Sequence, residues 1–186
     1  MSDLVPLTGE HLALDLVNTR TAAGDLLTAP GDLAAWLELQ AGRLEGAREA
    51  ADPGTDALTA VRAVREHTAG ALERARRGEP PAQADLEALN DAQRAAPAIS
   101  ELVWNGSAVT AERRRTGTAA ARLAARLAEA AAGLLADPAV TRIRQCEAGD
   151  CTLLFLPAHP RRRWCSAARC GNRARVARHY RRRKTG

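Results

Sequence analysis

Cys146, Cys151, Cys165 and Cys170 are the only cysteines in the chain, and they form two pairs with four residues between partners. Paired thiolates at short spacing are the donor set of a tetrahedral metal site, and four sulfur ligands suit zinc. Iron is the alternative that colour or redox activity would reveal. In an oxidising compartment the same residues would form two disulfides, but no basic segment followed by an apolar core marks an export signal. Four protein ligands leave no open coordination position, so the expected zinc is structural rather than catalytic. His159 and His179 are secondary candidates as substitute ligands.

The cysteines sit in an unusual electrostatic setting. Through Asp150 the chain has 16 basic and 22 acidic residues, whereas the remainder has 11 basic and none acidic, so the total of +5 conceals two oppositely charged regions. An arginine-rich, metal-stapled module has nucleic acid as its first expected partner, because phosphate attraction needs only clustered positive charge. The candidate contacts are Arg161, Arg162, Arg163, Arg169, Asn172, Arg173, Arg175, Arg178 and Arg182. Arg175, Arg178 and Arg182 share one side of a helix, while Ala174, Ala177 and Tyr180 share the other. Arg181, Arg183 and Lys184 extend the exit of that helix, and Trp164 is read as packing beside Cys165.

Local elements must bring these residues together. Cys146 and Cys151 flank the turn Glu147-Ala148-Gly149-Asp150 of a hairpin running from Thr141 and Ile143 to Leu153–Leu156, and Cys165 and Cys170 bracket the entry to a basic helix starting near Ala168 or Arg169. Upstream, 46% hydrophobic residues with only 3% aromatics imply a helical core built on alanine and leucine. Helical periods run through Gly9–Thr19, Asp32–Arg48 with Leu33, Trp36, Leu37 and Leu44 inward and Asp32 as cap, a segment around Leu58 to Leu72, a run through Leu86 and Leu89, and residues 116 to 136. Pro97 interrupts this series, and Asn105-Gly106 between Ile99–Val103 and Ser107–Val109 predicts a hairpin.

The expected fold is therefore mainly α: a helical domain over residues 1–138 with a short β-hairpin, then a small hairpin-plus-helix zinc module over 139–186. His11 and Asp15, one helical turn apart, and Asn18 are candidate ligand contacts, with helix capping and packing as the alternative reading. No glycine-rich phosphate loop or hydrolytic triad appears, and an enzyme is not expected. No apolar stretch is long enough to span a membrane.

The segment Arg163-Trp164-Cys165-Ser166-Ala167-Ala168-Arg169-Cys170-Gly171-Asn172-Arg173, followed by His179-Tyr180, resembles the CGNR zinc-finger family. Gly9, His11, Leu14, Asp15, Asn18 and Thr19 resemble the motif of the ABATE domain, which precedes this finger in proteins regarded as stress-related transcription regulators. The resemblance implies a helical domain joined to a zinc-binding, DNA-binding module, with Cys146, Cys151, Cys165 and Cys170 as ligands and Asn172 and Arg173 either stabilising the finger or meeting nucleic acid. The chain departs from the family's Phe-Leu-Asp-x-Ser pattern, since Phe155-Leu156 is followed by Pro157, Ala158 and His159, and Leu153-Leu154 replaces the usual aromatic after the second cysteine.

These readings converge on a non-enzymatic transcriptional regulator that binds double-stranded DNA, with structural Zn2+ positioning the basic helix and the helical domain supplying sensing or partner contact. The alternative is a zinc-stabilised adaptor for RNA or an acidic protein. The expected location is cytoplasmic, associated with the nucleoid in a bacterium. Effector, promoter and oligomeric state, including any homo-oligomer, stay open.

Overall fold

The structure, a computed structural model, describes residues 8–44 and 53–177. Its first helix, α1 (Leu12–Val17), is short and almost wholly enclosed, with Ala13, Leu14 and Leu16 at 0–1% exposure. A hairpin follows, β1 (Arg20–Thr21) paired antiparallel with β2 (Gly24–Asp25), and then α2 (Pro30–Leu39). The first hairpin was not expected from the sequence. It is pinned by Arg65, itself 1% exposed, whose two terminal nitrogens each lie 2.6 Å from an oxygen of Asp25, with a third hydrogen bond to Thr19 Oγ1 at 3.1 Å. The hydrogen bond from Arg65 is the main reason that the Asp25 carboxyl is held below its ordinary range.

Helix α2 ends at Leu39, earlier than its apolar pattern predicts, because the chain leaves the helical path through a turn at 41–44; residues beyond 44 in the expected helix lie outside the described residues. Asp32 does not stand at the cap itself. It sits one turn inside and reaches back, its Oδ2 accepting the Thr28 and Ala29 N–H groups at 2.9 and 2.8 Å. The expected inward face is buried as a set: Leu33, Trp36, Leu37 and Leu44 are at most 4% exposed.

The remaining helices, α3 (Thr55–Ala75), α4 (Gln83–Ala95) and α5 (Ala119–Ala136), pack mutually, with α1 laid across α3 and α5. Ala124, Ala125, Ala128 and Ala131 on α5 allow close approach of neighbouring backbones, while Leu123, Leu127 and Leu134 fill the space between them. Each fully buried leucine contributes about 2 kcal/mol of burial free energy. Thr118 caps α5 by accepting the Ala121 N–H at 3.1 Å.

Between α4 and α5 runs a longer hairpin, β3 (Ala98–Trp104) with β4 (Val109–Arg115), in the register Trp104↔Val109 to Ala98↔Arg115. Asn105-Gly106 turns the chain as expected. Asn105 Oδ1 accepts the N–H groups of Ser107 and Ala108 at 3.0 and 2.9 Å, and Gly106 takes φ +100°, a value costly for any residue with a Cβ. The second strand, however, occupies 109–115 rather than 107–109, because the charged run Glu112–Arg115 pairs as strand. A cross-strand ion pair from Arg114 to Glu101, and ion pairs from Arg113 and Arg115 to Glu129 on α5, hold those side chains.

A turn of 3-10 helix over Pro138–Arg142 leads into β5 (Arg144–Gln145), paired antiparallel with β6 (Leu154–Phe155). Strand alternation then divides two cores. Leu154 joins the helical core, while its neighbour Phe155, at 0% exposure, packs with Cys146, Cys165 and Cys170. Asn18 fastens this strand to α1: its Oδ1 accepts the Leu154 N–H and its Nδ2 donates to the Leu154 carbonyl, both at 2.8 Å and both buried.

Replacing Asn18 with Ala leaves both backbone groups of Leu154 without partners inside the protein. The expected loss is about 2–6 kcal/mol of unfolding free energy, from about 1–3 kcal/mol for each orphaned group, read from urea denaturation at saturating zinc. A loss below the lower figure contradicts the clamp.

Candidate metal centre

The metal-binding residues come from two short knuckles. In the first, Cys146 and Cys151 close the turn after β5, with the Cys146 N–H bonded to the Leu153 carbonyl and the Cys151 N–H to the Ala148 carbonyl, both at 2.9 Å. In the second, Ser166 caps a wide turn over Ala167–Gly171: its Oγ accepts the Arg169 N–H at 3.3 Å, and its carbonyl accepts the Gly171 N–H at 3.0 Å. An α-helix then continues through 172–177. The α-helix thus starts at Asn172, three to four residues after the expected Ala168 or Arg169, because the chain first makes a turn wider than an α-helical one over Ala167–Gly171. Gly171 lies under Trp164, where a Cβ would stand 3.5 Å from the indole, an ordinary packing distance, and the ring covers the second knuckle.

All four Sγ atoms lie within 4.8 Å of one another, with Cys151 and Cys165 at 3.9 Å and Cys165 and Cys170 at 3.5 Å. A tetrahedral ion with Zn–S bonds of about 2.3 Å sets its sulfurs about 3.8 Å apart, so these separations fit such an ion and are far longer than a disulfide. None of the four is disulfide-bonded. Cys146, Cys165 and Cys170 are buried and Cys151 is half-buried, which keeps competing water from most of the set. The donor chemistry, the separations and the burial agree on structural zinc held by Cys146, Cys151, Cys165 and Cys170. His159 does not join them, as its Nδ1 accepts the Arg161 N–H at 3.1 Å; His179 lies outside the described residues.

Without the ion the thiols are not equivalent. Burial pushes the Cys151 thiol up to about 11 and raises Cys165 as well. At Cys146 burial acts in the same upward direction but is outweighed by hydrogen bonds from the Ala148 and Cys165 backbones, and the result is a lowered value.

The basic residues divide sharply by environment. Arg162 is a tie rather than a free charge. It pairs with Glu10 Oε1 at 2.5 Å, donates to the carbonyls of Cys165 and Trp164 at 2.6 and 3.2 Å, and lies 4.5 Å over the Phe155 ring. The other oxygen of Glu10 accepts the Leu156 N–H at 3.1 Å. Nothing in the row Arg161-Arg162-Arg163 distinguishes the middle member; an acidic Glu10 beside the first helical motif was the available signal. Arg163 pairs with Glu147 at 2.5 Å through Nε and lies 5.8 Å from the Trp164 ring centroid. Asn172 and Arg175 are exposed and bonded to each other at 2.5 Å, and Arg161 is exposed. Arg169 is half-buried, and Arg173 reaches toward Cys170. On the terminal helix Ala174 is half-buried and Ala177 exposed. Arg178, Tyr180, Arg181, Arg182, Arg183 and Lys184 lie outside the described residues.

The three candidate ligand contacts of the first motif are already engaged. His11 caps α1, its Nδ1 accepting the Ala13 N–H at 3.3 Å, and burial followed by the charge of Arg43 lowers its pKa, which favours the neutral, accepting ring. Asp15 is fully buried and accepts from the Gly9 and Glu10 N–H groups at 2.9 and 3.1 Å and from Arg43 at 2.7 Å. Asn18 holds Leu154 and also borders a cleft of about 620 Å³ beside the second knuckle.

One zinc per chain is expected by atomic spectroscopy, and Cys165→Ser is expected to lower that content and disorder the finger. Because ligation displaces thiol protons, falling pH raises the thiol fraction and releases metal. Zinc retention should therefore decline monotonically on dialysis from pH 8 toward pH 5. Unchanged content in Cys165→Ser, or retention independent of pH, contradicts this ligand set.

Two family models match the chain. The ABATE model, described as "Putative stress-induced transcription regulator", covers residues 10–138, and the CGNR zinc-finger model covers residues 142–183. A search among curated proteins finds no match. No helix among the described residues is long and apolar enough to cross a membrane. With its buried first motif, its helical core and four converging cysteines, the chain belongs to the ABATE family and ends in a CGNR zinc finger.

Proposed function

We propose that this protein is a non-enzymatic, DNA-binding transcriptional regulator of the cytoplasm and, in a bacterium, the nucleoid. In this reading residues 1–138 are the sensing or partner-contact region and residues 139–186 the DNA-binding finger. The carrying observation is a segment with 11 basic and no acidic residues after Asp150, attached to a four-cysteine metal centre. The metal holds two knuckles that have too little apolar material to fix a helix alone, and the helix presents guanidinium groups to phosphate.

The geometry narrows the expected contact surface. Arg161 and Arg175 are exposed and suited to phosphate, and Asn172 beside Arg175 is placed to add a polar contact. Arg162 is withdrawn from that surface by Glu10, while Arg163 must exchange Glu147 for phosphate in order to contribute. Arg178 and Arg182, outside the described residues, are included in this proposal on their sequence positions alone.

Sensing has a natural place in the same reading. The 620 Å³ cleft is bordered by Asn18, Ala22 and Ala23 from the helical region and by Leu153, Ala168 and Arg169 from the finger region, and its size falls within the range of small-molecule sites. An effector seated there touches both regions, and differential contact is what a ligand needs to shift the disposition of the finger.

A binding selection from a random double-stranded DNA library, with zinc-quantified protein at controlled salt, is expected to enrich a reproducible motif. Folded, zinc-replete protein without enrichment overturns sequence-specific DNA binding and favours RNA or an acidic protein as partner. On the selected site, Arg175→Ala is expected to retain zinc, weaken binding several-fold and reduce the salt slope by about 0.9, the value of one phosphate contact. An unchanged slope removes Arg175 from the interface.

A further inference from the structure

Arg173 belongs to the basic segment by sequence, but its surroundings are those of a metal site. One terminal nitrogen lies 3.4 Å from Cys170 Sγ, and the same nitrogen is 3.1 Å from Asp150 Oδ1. Asp150 immediately precedes Cys151 in the first knuckle, whereas Arg173 follows Cys170 by three residues in the second. The guanidinium therefore spans from one knuckle to the other beside the sulfur cluster. It also lines the cleft onto which Cys151, Cys165 and Cys170 open.

Charge explains why a cation is needed at that point. Four thiolates around a divalent ion leave a net charge of −2, and the Asp150 carboxylate adds another negative charge next to the half-buried Cys151. Repulsion of this kind favours thiol over thiolate and so opposes the metal. An arginine whose N–H groups face a sulfur and a carboxylate at once offsets both charges. Both contacts come from one terminal nitrogen, whose two N–H bonds are held in the guanidinium plane, whereas those of an ammonium rotate freely.

We propose that Arg173 is a positioning residue of the zinc centre: it donates to the Cys170 thiolate, neutralises Asp150 and thereby raises metal affinity and shields the sulfurs facing the cleft, instead of reading nucleic acid. This role rests on the zinc centre alone and is independent of what the basic surface binds. Within the Cys170-Gly171-Asn172-Arg173 stretch it makes Cys170 a ligand, Asn172 the partner of Arg175 and Arg173 the countercharge.

The test compares Arg173→Met with Arg175→Met in the full chain. Both remove one positive charge from the same helical region, but only the first faces the cluster. Zinc affinity is measured by competition with a chromophoric chelator, and sulfur accessibility by the rate of N-ethylmaleimide alkylation of zinc-loaded protein. Loss of a partner outside the ligand shell costs about 10–100-fold in metal affinity. Arg173→Met is expected to show a loss in that range with faster alkylation, and Arg175→Met to stay within about twofold of the parent. Arg173→Lys, which keeps the charge without the planar group, is expected to fall between. Zinc affinity and alkylation in Arg173→Met equal to those of Arg175→Met overturn the proposal, and a loss of DNA binding without a change in zinc affinity reassigns Arg173 to phosphate. If Arg173→Met does not fold at excess zinc, Arg173→Gln, which removes the charge but keeps a polar side chain, decides: parental zinc affinity and alkylation overturn the role, whereas weakened affinity in a folded protein sustains it.

Discussion

A single amide side chain holds the two halves of this protein in register. Asn18 gives strand β6 a partner for both backbone groups of Leu154, and it does so from the end of α1, inside the helical core. Because side chains alternate along a strand, fixing Leu154 on the helical side fixes Phe155 on the metal side. Glu10 and Arg162 repeat the tie one layer further out, linking the Leu156 backbone to the carbonyl of a metal ligand, Cys165. The finger is consequently not an appendage on a linker. Its hairpin is wall to one core and floor to the other.

This arrangement joins metal binding to the stability of the helices. An ion that orders the knuckles also orders β6, and β6 carries Leu154 into the helical core. Free energy released at the cysteines is thereby shared with α1 and the helices beneath it, and damage to the buried motif of α1 weakens the scaffold on which the thiolates converge. The same coupling gives the ABATE motif a physical meaning: Asp15 gathers the entry to α1 and Arg43, while Asn18 reaches across to the finger.

The cysteines were legible in the sequence because their chemistry depends on type and spacing, and the Asn105-Gly106 turn because its backbone demands those residues. The helical core was legible from periodicity. Other features were hidden for identifiable reasons. Strand β4 is a run of charges whose partners, Glu101 and Glu129, are supplied by a neighbouring strand and a later helix. The β1–β2 hairpin has only two paired residues on each side and is held by a buried arginine from α3, a contact that no local pattern encodes. Arg162 and Arg173 read as members of a uniform basic run, and only the positions of Glu10, Asp150 and Cys170 separate them from it.

The three tryptophans occupy three different surroundings. Trp36 is sealed in the helical core at 1% exposure, Trp164 covers the metal knuckle half-buried, and Trp104 stands at the tip of the β3–β4 hairpin at 64% exposure. Indole emission shifts to longer wavelength as the ring meets water, so the chain carries its own set of optical probes. Trp36 reports on the helices and Trp164 on the finger, while Trp104, already solvated, supplies a nearly constant background against which the other two are read.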